Sequence, residues 1–258
     1  MSPNGRDTAF YKFKNGKLIS KITKSSAPTY FKYNEKGLLE NEYYIHSDGE
    51  VSETTYKYNE DGLIIEIYHS KKTSQTAESI PWSKETISFE FKENNDYTIN
   101  KVFTTLTYKS DDNFTTYTKE GSTLNILTKQ GKSTKEYNHK IENGNIVYTE
   151  KLKPSKENFS MEFKFDNKIN LFKIIYSNIF GDKYFINDLL THTPVNNLYD
   201  DFIDENNCMS VRNIKTTKYV SHSEKTTTIV YNKENLPLEI KVDSEPGYGN
   251  IIKVTYQK

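Results

Sequence analysis

Phe31-Lys32-Tyr33-Asn34-Glu35-Lys36-Gly37-Leu38 returns twenty-five residues later, nearly letter for letter, as Tyr56-Lys57-Tyr58-Asn59-Glu60-Asp61-Gly62-Leu63. Each copy reads as the end of a strand, a tight turn and the start of the next strand. Aromatic residues at alternate positions suit one face of a pleated strand, and glycine supplies the positive φ that such a turn needs. Asn59 and Gly62 are thus expected to serve folding rather than chemistry. Earlier in the chain, Lys14-Asn15-Gly16-Lys17 lies between two apolar alternations, which predicts a hairpin with a type I′ turn and positive φ at both central residues.

The same rhythm continues on both sides. Turn residues recur at 47–50, 94–96, 110–113, 120–121, 130–131 and 142–145, and between them lie short runs with a period of two, such as 86–91 and 159–165. Strand after strand with turns at this spacing predicts an all-β meander rather than an α/β fold. A single sheet of roughly 15 or more strands cannot stay flat. The expected fold is therefore a large antiparallel meander of hairpins in a strongly twisted and curved sheet, rolled or half-barrel. One stretch, 170–213, loses the rhythm and mixes apolar clusters with Asp- and Asn-rich runs. It predicts a long irregular insertion packed on the concave side, with one short helix near 186–190 or 198–202. Residues 1–8 read as a flexible leader, and 9–258 as one all-β domain (hairpins 9–165, the insertion 170–213, hairpins 214–258).

Composition narrows the function classes. Lys plus Arg and Asp plus Glu both number 35, so the formal charge is zero. That balance argues against nucleic acid as a partner, which would need a basic surface. Hydrophobic residues are 34% of the chain but aromatics 14%, with 20 Tyr and 14 Phe. Disordered chains are poor in aromatics, so the chain folds, and Tyr, Thr and Lys are expected to cover much of the wet face of the sheet. Cys208 is the only cysteine, so no disulfide forms within the chain and no multi-thiolate metal site exists. No apolar run is long enough for a transmembrane helix. A monomer without cofactor or metal is expected.

Asp166-Asn167-Lys168-Ile169-Asn170-Leu171-Phe172 and the late Tyr231-Asn232-Lys233-Glu234-Asn235-Leu236-Pro237-Leu238 carry a resemblance. Together with the Tyr-x-Tyr-Asn-x-x-Gly-Leu repeats, they resemble uncharacterised secreted lipoproteins of Bacteroidota with degenerate YD hairpin repeats of the Rhs type. Those proteins tend to have Pro where this chain has Leu171, and Gly where it has Asn235. Asn tolerates left-handed geometry, so the second departure is mild. The resemblance implies an exported protein of the periplasm or outer-membrane surface, with a signal and a lipid-bearing Cys upstream of Met1. It implies no activity. Asp7-Thr8-Ala9 also looks like the short O-glycosylation signal of such proteins. If Met1 is instead the native start, the lone Cys suits the cytoplasm.

No catalytic constellation emerges. His46, His69, His139, His192 and His222 are scattered without metal-ligand spacing, and each reads as a surface or edge histidine. Asp200, Asp201, Asp204 and Glu205 form the densest acidic group, but their spacing does not match a calcium loop. Cys208 reads as a spare thiol, buried or half-buried. Trp82, the only tryptophan, follows a polar loop at 69–80 and is the one candidate binding residue, because an aromatic on a loop can stack on a sugar or anchor a partner; its plain role would be to cap the end of the core. These features favour a non-enzymatic cell-surface protein, a binding or structural module, whose partner would be a protein or glycan. The alternatives are an immunity or inhibitor protein that neutralises a toxin, and third, an enzyme acting on glycans.

Overall fold

The computed structural model describes residues 9–23, 27–108, 112–153, 159–191, 206–215, 225–245 and 248–253. The expected leader at 1–8, the Asp7-Thr8-Ala9 signal, the possible helix at 198–202, the acidic group at 200–205, His192 and His222 lie wholly or partly outside them.

Among the described residues seventeen strands follow one another: β1 (Ala9–Lys14), β2 (Lys17–Thr23), β3 (Thr29–Tyr33), β4 (Leu39–Ile45), β5 (Val51–Tyr58), β6 (Ile64–Lys72), β7 (Ile80–Phe91), β8 (Tyr97–Thr105), β9 (Asn113–Glu120), β10 (Thr123–Gln130), β11 (Ser133–Glu142), β12 (Asn145–Lys153), β13 (Phe159–Ile169), β14 (Asn206–Lys215), β15 (Lys225–Tyr231), β16 (Pro237–Glu245) and β17 (Tyr248–Lys253). Each pairs antiparallel with the strand before and after it in sequence. Among the described residues no pairing joins β1 to β17, so the meander is not closed into a barrel. The expected all-β fold is the fold observed.

The repeated motif builds one turn three times. At Asn34, Asn59 and Asn232 the side-chain Oδ1 accepts the N–H of the residue four positions on, at 3.0, 2.9 and 2.9 Å. That same residue's carbonyl accepts the Asn N–H, at 2.9 Å in all three. The third residue after each Asn holds positive φ: Gly37 at 75°, Gly62 at 78° and Asn235 at 60°. Asn15 and Gly16 have φ of 51° and 74°, as the type I′ turn requires.

The interruption of the hairpins begins at 170 as expected, but strand β14 (Asn206–Lys215) takes up its expected end at 206–213. Where a loop with one short helix near 186–190 is expected, 171–191 is helical almost throughout, the helix at Tyr184–Thr191 falling on the expected one. Helix α1 (Leu171–Phe180), a short 3-10 turn (Gly181–Lys183) and helix α2 (Tyr184–Thr191) follow β13 directly, and strand structure is back by Asn206. Asn170 stands just before α1, and its carbonyl accepts the Ile174 N–H at 3.2 Å, the bond that opens the helix.

The helix pair lies on the concave face of the sheet. Ile175, Ile179, Phe180, Leu189 and Leu190 share one buried cluster with Leu18 of β2, Leu39, Tyr56, Ile67, Ile87, Ile99, Tyr117, Ile126 and Ile240 of β16. Strands β2 and β16 are fourteen apart in the meander, so one connected core reaching both means that the sheet is rolled around the helices. Tyr137, Met161, Phe163 and Val211 form a smaller second cluster on β11, β13 and β14. Tyr56, Tyr97 and Tyr117 are buried, whereas the sequence suggested that Tyr covers the wet face. A wide gap between a thin sheet and its helices is filled by large side chains, and burial pushes the hydroxyl pKa of all three up.

The opposite face of β4–β8 meets water. Glu66 bridges Lys57 at 3.0 Å and also Lys84, Lys72 pairs with Glu53 at 3.0 Å, and Tyr68 lies under both Lys57 and Lys84. Charged side chains on the outer face of these strands differ from the apolar band by which a β-barrel meets a bilayer. Among the described residues no helix is long and apolar enough to cross one.

Two side chains give this packing a measurable signature. Asn187 of α2, fully buried, accepts the Ile64 N–H at 2.9 Å and donates to the Gly62 carbonyl at 2.9 Å. Asn187→Ala leaves both backbone groups without that partner and is expected to lower stability by about 2–4 kcal/mol in urea unfolding. His139 was expected at a strand edge; it is instead buried in β11, its Nδ1 2.8 Å from Thr149 Oγ1. Burial lowers its pKa to about 3. A depressed folded pKa means that the unfolded chain takes up the proton first. The stability is complete above the unfolded value of about 6.5 and is lost as pH falls from there toward about 3. Between pH 7 and pH 5 the protein is expected to lose about 2 kcal/mol that His139→Asn does not lose.

Candidate functional site

The rolled sheet and α1 leave a cavity of about 460 Å³ on the concave side. Its floor is a grid set by strand register. In one row, Tyr44 of β4 lies opposite Ser52 of β5, and Ser52 opposite Lys71 of β6. In the next, Glu42 lies opposite Thr54, Thr54 opposite His69, and His69 opposite Ser83 of β7. Beyond it come Tyr56, Ile67 and Glu85. Ile175, Tyr176, Ile179 and Phe180 of α1 form the wall, and Trp82 stands at the far side of the floor from Tyr44.

Trp82 is in this cavity, but not on a loop. Strand β6 runs on to Lys72 and β7 begins at Ile80, so Pro81 and Trp82 belong to a strand start. Pro81 pairs with Ser70 beside a register shift between His69 and Ser70. Such an irregularity is where a strand accepts proline. The Trp82 ring lies 5.6 Å from His69 and 6.5 Å from Phe103, centroid to centroid, and the residue keeps 38% of its surface exposed. Trp82 thus lines the cavity with part of its surface exposed.

His46 and His69 line the same cavity. Their separation in sequence hid this, because only the pairing of β4, β5 and β6 brings them to one floor. His46 Nε2 is 2.8 Å from Ser52 Oγ, and its ring is tilted against Tyr44 at 4.7 Å. His69 Nδ1 is 3.4 Å from Thr54 Oγ1 and Nε2 is 3.4 Å from Glu85 Oε1. Glu42 accepts the Tyr56 hydroxyl proton at 2.9 Å, and Lys71 pairs with Glu50 at 2.9 Å. Every one of these ionisable groups has a partner within the protein.

From His69 a line of polar contacts runs under the helices. Glu85 Oε2 is 3.0 Å from Lys101 Nζ, and Lys101, itself buried, donates to the Leu190 carbonyl at 2.8 Å. Leu190 lies in the last turn of α2, where carbonyls lack helical partners and the helix end favours a cation. Burial by itself would raise the Glu85 pKa and lower that of Lys101. Contact with His69 and Lys101 outweighs it for Glu85, which ends below the usual carboxylate range. For Lys101, the nearby Tyr117 and Glu85 outweigh burial, and its pKa ends above the usual value.

Other candidates lie elsewhere. Cys208 is half-buried in β14, away from the cavity, and its thiol donates to the Ser210 carbonyl at 3.6 Å. Asp166 accepts the Lys168 N–H at 2.9 Å and the Asn207 N–H at 3.2 Å, and also takes the Tyr231 hydroxyl. It fastens β13, β14 and β15 and is structural. Among the described residues no group of three or more His, Cys, Asp or Glu is placed to hold a metal ion.

No protein-family model matches the chain, and no curated protein does. Among solved structures it is similar to a porin-like protein from Bacteroides uniformis at 12% identity, over 94% of this chain and 85% of that one, with a TM-score of 0.40. Nothing about what this chain binds follows from that similarity.

The ion pair beneath the floor is open to test. Lys101→Met leaves Glu85 buried without its main cation and is expected to cost about 3–5 kcal/mol in urea unfolding. Adding Glu85→Leu, which removes the stranded carboxylate, is expected to restore a large part of that loss. A single variant as stable as wild type would show that the pair carries no weight.

Proposed function

We propose that the protein is a non-enzymatic binding protein of the bacterial cell envelope and that its ligand sits in the cavity between α1 and strands β3–β7. The observation that carries this reading is the cavity itself. Its volume is in the range of small-molecule sites, it presents the partly exposed aromatics Tyr44 and Trp82, and its polar groups are held in fixed positions by one another. A carboxylate tied to a tyrosine and a histidine tied to a carboxylate position a ligand well. The envelope assignment rests on the resemblance carried by residues 166–172 and 231–238, which implies an export signal and a lipid anchor upstream.

Thermal unfolding in the presence of saccharide, acidic and apolar small molecules tests the reading. A ligand present at a hundred times its Kd adds about 2.7 kcal/mol to stability, which raises Tm by several degrees. One class of ligand is expected to give this rise in the wild type and to lose it in Trp82→Ala and Tyr44→Ala, with the ligand recovered unchanged. Chemical conversion of the ligand, or a rise that survives both substitutions, would overturn the proposal.

A further inference from the structure

The cavity's chemistry selects among ligand classes, given that it is the binding site. We propose that it takes a neutral polyhydroxylated ligand, an uncharged oligosaccharide, with one sugar ring stacked on Trp82.

Charge comes first. Between Tyr44 and Trp82, Lys71 pairs with Glu50, His69 touches Glu85, Glu42 accepts the Tyr56 hydroxyl and His46 faces Ser52, while Lys21, on the β2 side of the lining, lies over the Tyr11 ring. A charged ligand laid between Tyr44 and Trp82 would lose its hydration and have to displace these contacts to reach a counter-charge, which is costly in a partly enclosed site. A purely apolar ligand fares no better. It would cover Ser52, Thr54, His46 and His69 and give their remaining hydrogen-bonding capacity nothing in exchange. An uncharged sugar meets both conditions. Its hydroxyls donate and accept, so they suit side chains of either kind, and the C–H face of a pyranose ring is apolar and suits an aromatic plane.

The layout agrees with the chemistry. Tyr44 on β4 and Trp82 on β7 are separated by three strand spacings, about 14 Å at about 4.8 Å per strand. Ser52 and Thr54 on β5 and His69 on β6 lie between them. Aromatic ends with a hydroxyl-bearing middle fit a chain of several sugar rings laid across the strands, rather than one ring in a closed pocket. The wall of Ile175, Ile179 and Phe180 on α1 limits the ligand to one layer.

The chain has a single tryptophan, so intrinsic tryptophan fluorescence reports on Trp82 alone. Titration with maltotriose, cellotriose, mannotriose and triacetylchitotriose, beside trigalacturonate as an acidic probe and octanol as an apolar one, tests the proposal. At least one neutral trisaccharide is expected to shift Trp82 emission saturably. Ser52→Ala and Thr54→Val, which keep the tryptophan and change only the floor, are each expected to weaken that binding about tenfold, the effect of one lost hydrogen bond. Isothermal titration on variants shown by circular dichroism to be folded gives the same affinities independently. If trigalacturonate or octanol saturates the signal and the neutral sugars do not, the ligand class is wrong while the cavity remains the binding site. If no probe perturbs Trp82 or releases heat, both proposals fall.

Discussion

A sheet of seventeen strands in one layer has two faces, and its apolar face must be covered. That requirement governs the molecule. The chain meets it by rolling the sheet and laying a helix pair, α1 and α2, along the inside. Fully burying an aliphatic or aromatic side chain contributes about 1.5–3 kcal/mol, so the five buried helix residues from Ile175 to Leu190 outweigh any polar contact nearby. The polar contacts determine position. Asn187 acts as a short piece of strand against the turn at Gly62, bonding one carbonyl and one N–H as a neighbouring strand would. Lys17 does similar work at the earlier copy of that turn, reaching both the Gly37 carbonyl at 2.8 Å and the Asn178 carbonyl at 3.0 Å. The two copies of the repeated motif thus receive the helices as well as turn the chain.

The ion pairs of the outer face and those of the inner face have different weights. Lys57, Lys84 and Glu66 lie near water, where a pair contributes about 0–1 kcal/mol, and they chiefly keep that face wet and in register. Lys101 and Glu85 are shielded, so losing one partner strands the other. Because Glu85 also holds His69, and His69 lies against Trp82, the anchoring of α2 and the shape of the cavity floor share one row of side chains.

Much of the architecture was legible in the sequence, because hairpins are local. Asn15-Gly16 and Asn59 to Leu63 state their turns within a few residues, and alternation states the strands. The helix pair was harder to read. Phe172, Ile175, Tyr176, Ile179 and Phe180 recur at three- and four-residue intervals, a helical period that was present but masked by neighbouring Asn and Asp. The floor of the cavity was not legible. Whether His46 and His69 face the same way depends on the register of three strands and on a bulge beside His69, which no local pattern encodes. Trp82 stood out for its rarity and its neighbouring proline, and it does line the cavity, though as the start of a strand. His139 shows the limit of scattered residues as evidence: its burial follows from the packing around β11, not from its neighbours in sequence.

The helix pair is an integral layer of the roll rather than a lid resting on it, and the cavity wall depends on that. Native-state hydrogen exchange resolved by residue measures this most directly. The prediction is that the amides of Ile174 to Phe180 in α1, of Leu189 and Leu190 in α2, and of Ile64, whose N–H is held by Asn187, open with the same free energy as the central strands β5–β8. Helix amides that exchange through a separate, lower-energy opening while β5–β8 stay protected would contradict it.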